Sequence, residues 1–183
     1  MRLALVTPLV LLFACGGVPS STFDVDDEGW TLGGDAPLRP ALKDLTGNPG
    51  GHICGTDEEA GQFWYFVAPA KFLGNVSAAY GKRLTWDMKQ SYIYNQIHGR
   101  EVILQGGGLS LSYSSPRTPG IEWTPFQVSL EPGAPWVRDS DGQNATEADL
   151  RTVLRSVNAL RFRGEFVDGP DSSCLDNVVF GTL

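Results

Sequence analysis

Polar and apolar residues alternate strictly in four stretches of the chain. Leu84, Trp86 and Met88 interleave with Thr85, Asp87 and Lys89. Leu109, Leu111 and Tyr113 interleave with Ser110, Ser112 and Ser114, and Phe126, Val128 and Leu130 with Gln127, Ser129 and Glu131. Leu160, Phe162 and Phe166 stand opposite Arg161, Arg163 and Glu165. Period two with one polar side marks a strand with one face buried and one wet. Further strands are expected near Ser21–Val25, Phe63–Val67, Val102–Gln105 and Leu175–Phe180, with the glycine and proline clusters "GNPGG", "GGG", "SSPRTPG" and "EPGAP" between them.

Only "TEADLRTVLRSV" departs from period two. Leu150, Val153, Leu154 and Val157 fall at i, i+3, i+4 and i+7, a single apolar stripe. Thr146 with Asp149 three residues on is a variant capping box, so a short amphipathic helix is expected near 147–157. Eight to ten short strands, one helix and no βαβ rhythm predict an all-β fold, a jelly-roll β-sandwich. In "WYFVAPAKFLG", Pro69 ends a strand, Phe72 and Leu73 dip into the core from one helical turn, and Gly74 caps its exit.

Composition narrows the function classes. The 183 residues are 42% hydrophobic, with 22 glycines, 12 prolines and a net charge of −7. An acidic surface without a basic cluster argues against nucleic acid and against electrostatic membrane binding. At the amino end, Arg2 precedes an apolar run, Leu3–Phe13, too short to span a bilayer, as in an export signal. Leu12–Cys15, "LFAC", resembles a bacterial lipobox, which implies cleavage before Cys15 and acylation of its thiol. An ordinary signal peptide with an incidental cysteine is the alternative. The chain thus divides into a signal peptide (1–14), a tether (15–21) and one domain (22–183), exported and either membrane-anchored or extracellular. Cys54 and Cys174 are then the cysteines left to pair as a disulfide, the alternative being two buried thiols.

"FWYFVAPAKFLGNVSAAYGKRLTWDMKQ" resembles the signature of the laminin B (laminin IV) domain family. "GLSLSY", the Trp123 strand, "TEADLRTVLRSVNALRFRGEF" and "LDNVVF" follow in the family's order, over roughly Asn48 to Phe180. The resemblance is to stand-alone bacterial-type members, since the flanking epidermal-growth-factor-like modules of animal laminins are not here. It implies a jelly roll akin to galactose-binding and carbohydrate-binding modules. Related jelly rolls hold a structural Ca²⁺ between first and last strands, which here implies Asp24, Asp26, Asp27 and Glu28 with Asp176. A solvated acidic segment, with Asp176 capping a turn, is the other reading. No other cofactor is expected.

Catalytic signatures are missing: there is no G-x-S-x-G, no H-E-x-x-H, and His52 and His98 are far apart. The chain therefore reads as a non-enzyme, although two facing carboxylates for glycan hydrolysis need no local motif. Aromatic platforms beside hydrogen-bonding groups suit a sugar. Two sets qualify: a polar sheet face of Thr85, Asp87, Lys89, Gln127, Arg161 and Arg163, if their strands share a sheet, and a loop cluster of Tyr92, Tyr94, Trp123 and Trp136. The expected function is cell-surface binding or adhesion to a glycan or glycoprotein, with a structural envelope protein packing on a protein partner as the alternative.

Overall fold

The computed structural model of the chain describes residues 18–34, 36, 40–43, 46–57 and 63–183. The expected signal peptide and Cys15 lie outside the described residues. The strands are β1 (Ser20–Ser21), β2 (Thr31–Gly33), β3 (Ala41–Lys43), β4 (His52–Asp57), β5 (Tyr65–Val67), β6 (Arg83–Gln90), β7 (Val102–Gly106), β8 (Leu109–Tyr113), β9 (Thr124–Ser129), β10 (Trp136–Arg138), β11 (Val157–Arg163) and β12 (Asp171–Thr182). One α-helix, α1 (Glu147–Leu154), lies between β10 and β11. None of the described helices is long and apolar enough to cross a membrane.

The strands form two antiparallel sheets. The first has the order β3-β4-β12-β6-β9, with β1 added to the far half of β12. The second has the order β10-β8-β7-β11-β5-β2. Strand β12 runs 12 residues and pairs with β4 and β1 along one edge and β6 along the other. Its register shifts between Asp176 and Val179, where Asn177 takes a left-handed backbone with φ 49°.

Alternation predicts the faces correctly in β6, where Leu84, Trp86, Met88 and Gln90 are buried and Thr85, Asp87 and Lys89 are half-exposed. Between the sheets, Trp86 stacks on Phe126 at 5.5 Å and meets Phe162 at 5.2 Å. Trp30 joins Phe23, Phe72 and Phe162 at the other end of this cluster. Each such ring buried contributes about 1.5–3 kcal/mol. Trp64 lies flat on glycines: a Cβ on Gly55 or Gly164 would come within 2.4 or 2.1 Å of its ring. Its Nε1 donates to Asp171 Oδ1 at 3.0 Å.

Helix α1 carries the expected capping box: Thr146 Oγ1 accepts from Asp149 N, and Asp149 Oδ2 accepts from Thr146 N. Leu150, Val153 and Leu154 face the core. The proline-ended segment makes one 3-10 turn, Ala70–Phe72, with Phe72 fully buried and Gly74 at φ 84°.

Two expectations need correction. There are twelve strands among the described residues, not eight to ten: β2, β3 and β10 are three residues long, too short to show alternation, and β4 buries both His52 and Ile53, so its sequence does not alternate. The expected Ser21–Val25 strand is extended only at Ser20–Ser21. The chain then turns on its own acids: Asp26 Oδ1 accepts from Glu28 N, and Asp27 Oδ1 from Gly29 N.

Candidate functional site: the outer face of the first sheet

Thr85, Asp87 and Lys89 on β6 point away from the core, and Gln127 on β9 is exposed directly opposite Thr85. Thr85, Asp87 and Gln127 line one groove of about 550 Å³, together with Arg117, Pro125, Asn177 and Val179. Asp87 Oδ2 accepts from Asn48 Nδ2 at 3.1 Å and from Asn177 Nδ2 at 2.9 Å. The Arg117 guanidinium donates to the Pro125 carbonyl and lies 5.1 Å from the Phe126 ring. Arg117 and Asn177 were not among the expected binding residues. Arg117 sits in an irregular loop with no periodicity to mark it, and Asn177 reaches the groove only through the irregularity in β12.

Lys89 belongs to the same face but not to the open groove. Its Nζ lies 4.4 Å over the Trp123 ring and donates to Thr46 O, to which Trp123 Nε1 also donates. Trp123 meets His52 edge-on at 5.2 Å. The segment 46–51 and Trp123 thus cover this half of the face, beside the Cys54–Cys174 disulfide. That bridge joins directly opposed residues of β4 and β12, with Cα atoms 4.0 Å apart.

Arg161 and Arg163 do not join this face. Both lie on β11 in the second sheet, so the condition that these strands share a sheet fails. Arg163 is fully buried: it pairs with Glu101 at 2.9 Å, donates to Ile97 O, and stacks 4.4 Å from Phe166. Burial pulls its pKa down and Glu101 pulls it back up. Glu165 is also buried, so the alternation in this segment stops at Phe162.

The loop aromatics also separate. Trp136 is fully buried between the sheets, 5.9 Å from Tyr113, with its Nε1 donating to Ser129 O, so it offers no platform. Tyr92 and Tyr94 are exposed, with rings 5.3 Å apart, in the loop after β6. That loop is tied to the one before β9 through Gln96, which donates to Pro119 O and accepts from Thr118 Oγ1.

The acids expected to hold Ca²⁺ divide in two. Asp176 is buried at the bulge of β12, where Asn48 N and Asn177 N donate to it at 2.6 and 2.7 Å. Burial first, and then the nearby Asp87 and Asp24, push its pKa up to about 6 in spite of those two donors. A side chain on Gly47 would start within 2.8 Å of Asp176 Oδ2, Gly50 O and Gly51 O. Asp24 Oδ1 reaches the same loop and accepts from Gly51 N at 3.4 Å. Clustered carboxylate and carbonyl oxygens around an uncompensated acid fit a hard cation. Asp26 and Asp27 turn instead on their own segment, accepting from Glu28 N and Gly29 N. Glu28 accepts from Thr22 N and Phe23 N and pairs with Lys71. Burial pushes the Glu28 carboxyl up, but these hydrogen bonds leave it below its ordinary value. The one convergent trio of His, Cys, Asp or Glu ligands among the described residues is His52, Cys54 and Cys174, and the disulfide occupies two of its three members.

Residues 65–182 match the family described as Laminin B (Domain IV). The chain belongs to the laminin B domain family. It is 32% identical to laminin subunit gamma-2 of Equus caballus over 125 residues, 62% of this chain and 10% of that protein. Against laminin subunit gamma-1 of Danio rerio it is 28% identical over 165 residues, 87% of this chain and again 10% of that protein. The chain thus spans about a tenth of these relatives. Among solved structures, the L4b domain of human laminin alpha-2 superposes with a TM-score of 0.56 at 16% identity, over 66% of this chain and 70% of that one. A family 11 carbohydrate-binding module of Clostridium thermocellum, solved with a β-1,3-1,4-mixed-linked tetrasaccharide, gives 0.57 at 16% identity over 91% and 98%. At these identities the likeness is one of fold, a jelly-roll sandwich. This laminin B domain shares that architecture with modules that bind glycans and carries a disulfide across its first sheet.

Proposed function

We propose that this laminin B domain is an exported, non-catalytic binding module that takes a glycan or glycoprotein in the groove of its first sheet. The observation that carries this reading is the convergence of Thr85, Asp87, Gln127, Asn177 and Arg117 on one groove of about 550 Å³. Hydroxyl, carboxylate, amide and guanidinium groups, three of them on paired strands, suit the hydroxyl-rich edge of a saccharide. Sheet-borne groups are held in place before the ligand arrives, which keeps the entropic cost of binding low. The family's presence in laminin chains and the disulfide support export. Acylation at Cys15 would anchor the protein, and a Cys15→Ser chain that still partitions with membranes would refute it. Ca²⁺ bound by Asp24, Asp176 and the carbonyls of 47–51 would brace the loop whose Asn48 holds Asp87.

The test is a glycan array probed with the full chain and with an Asp87→Ala/Gln127→Ala variant. Selective binding by the parent, lost in the variant, is the expected result. No binding across broad glycan classes sinks the reading. A second reading, a protein partner, is favoured by the exposed Tyr92, Ile93 and Tyr94 at the loop end. It predicts cross-linking to a protein through that loop without glycan binding.

A further inference from the structure

The second sheet carries its own cavity on its outer face, across the sandwich from the groove. It has a volume of about 360 Å³ and is lined by Gly33, Gly34, Phe63, Tyr65, Val67 and Arg161. Register explains why these residues meet. Arg161 on β11 stands opposite Val67 on β5, and Tyr65, two residues along β5, stands opposite Gly33 on β2. Gly33, Tyr65, Val67 and Arg161 share the outward parity, because the alternating Leu32, Phe66 and Phe162 are buried in the core.

Three features distinguish this cavity from ordinary surface relief. Its floor has no side chains, and packing enforces this: a Cβ on Gly33 would lie 3.2 Å from Val67 Cγ2, and one on Gly34 would lie 2.4 Å from the Phe63 carbonyl oxygen. Its wall is a large ring left in solvent, Phe63, 45% exposed, beside the half-buried Tyr65. Its one charge has no carboxylate partner among the described residues. There, Arg100, Arg138, Arg151 and Arg163 each have one, whereas the half-buried Arg161, like Arg83, Arg117 and Arg155, has none. Burial raises the Tyr65 pKa, and the nearby Arg163, Arg100 and Arg161 oppose that rise while Asp139 adds to it.

We propose that this cavity binds an acidic sugar, a hexuronate whose carboxylate pairs with Arg161 and whose C–H face rests on Phe63 and Tyr65. A guanidinium offers a planar fork that matches a carboxylate, and an aromatic wall accepts the apolar face of a pyranose. The cavity lies at the small end of ligand-site volumes, room for one ring rather than an extended chain. This inference stands independently of the groove on the first sheet.

The test is an amide-resolved NMR titration of the isotopically labelled full chain with sodium D-glucuronate, and in parallel with D-glucose. Saturable shifts at Gly33, Gly34, Tyr65 and Arg161 with glucuronate but not glucose are expected. Arg161→Gln should weaken binding about tenfold or more, the cost of losing a charge-assisted pair. Phe63→Ser, at an exposed position, should also weaken it, and this variant decides the matter should Arg161→Gln fail to fold. No saturable shift at these amides, equal shifts with glucose, or unchanged binding by Phe63→Ser would overturn the proposal. Glucuronate shifts confined to Thr85 and Gln127 would overturn it while favouring the other groove.

Discussion

Arg163 and Glu101 form an ion pair that solvent does not reach. Nη2 of the guanidinium donates to Glu101 Oε1 at 2.9 Å, with the side chains 0% and 2% exposed. Glu101 also accepts from Ser115 N at 2.7 Å, so the pair ties β11 to the loop before β7 and the loop after β8. Removing one partner leaves a charge stranded in a dry site. Glu101→Ala should cost about 3–5 kcal/mol in urea unfolding. Glu101→Gln with Arg163→Met should recover most of that loss, and a double variant as unstable as the single would count against the stranded-charge account.

Loss of the disulfide should dominate the fall in stability under reducing conditions. Cys54 and Cys174 are separated by 120 residues. Closing so long a loop restricts the unfolded chain by about 4–5 kcal/mol in the chain-entropy picture. A Cys54→Ala/Cys174→Ala chain should show a drop of that order or smaller in denaturant melts, and reductant should then have no further effect on it.

Asp176 sets a pH dependence with a definite sign. Its folded-state pKa, about 6, lies above the ordinary 3.8, so the folded protein binds the extra proton. Stability from this group is fully present below about pH 4 and is lost as pH rises through 6. In chelator, acidification from pH 7 towards 5 should therefore raise the melting temperature through this residue. Asp176→Asn should flatten that response. Added Ca²⁺ should stabilise the parent at pH 7.5 and leave Asp176→Asn unchanged, as expected for a ligand of the folded state. An equal Ca²⁺ response in both proteins would refute the site.

The helix cap offers a smaller, cleaner measurement. Thr146→Ala removes the acceptor for Asp149 N and should cost about 1 kcal/mol. Thr146→Ser should be close to neutral by the same thermal melts.

How far the sequence could be read depended on whether a signal was local. Strands β6, β8 and β9 and helix α1 were legible because each repeats its own period over five or more residues. Strands β2 and β3 were not, since three residues hold no period and their place comes from pairing with β5 and β4. The outward side of Thr85, Asp87 and Gln127 followed from parity alone. The sheet to which Arg161 belongs did not, because parity says nothing about which strands become neighbours. Arg163 and Glu165 looked wet because they are charged. For Arg163, burial depends on a partner far along the chain, Glu101, 62 residues away. Of the acids after Ser21, Asp26 and Asp27 cap their own turn while Asp24 reaches the 47–51 loop, a difference that a count of carboxylates cannot show.

The position of β12 has a consequence for how the protein is made. It is the middle strand of the first sheet, the neighbour of β1, β4 and β6, yet residues 171–182 leave the ribosome after all of those partners. Until they emerge, that sheet has flanks and no spine, and neither the disulfide nor the Asp176 corner has its second half. Folding must wait for translation of this segment and then close contacts across most of the chain, the kind of topology that folds slowly. A chain delayed in this way stays open for as long as it is being synthesised.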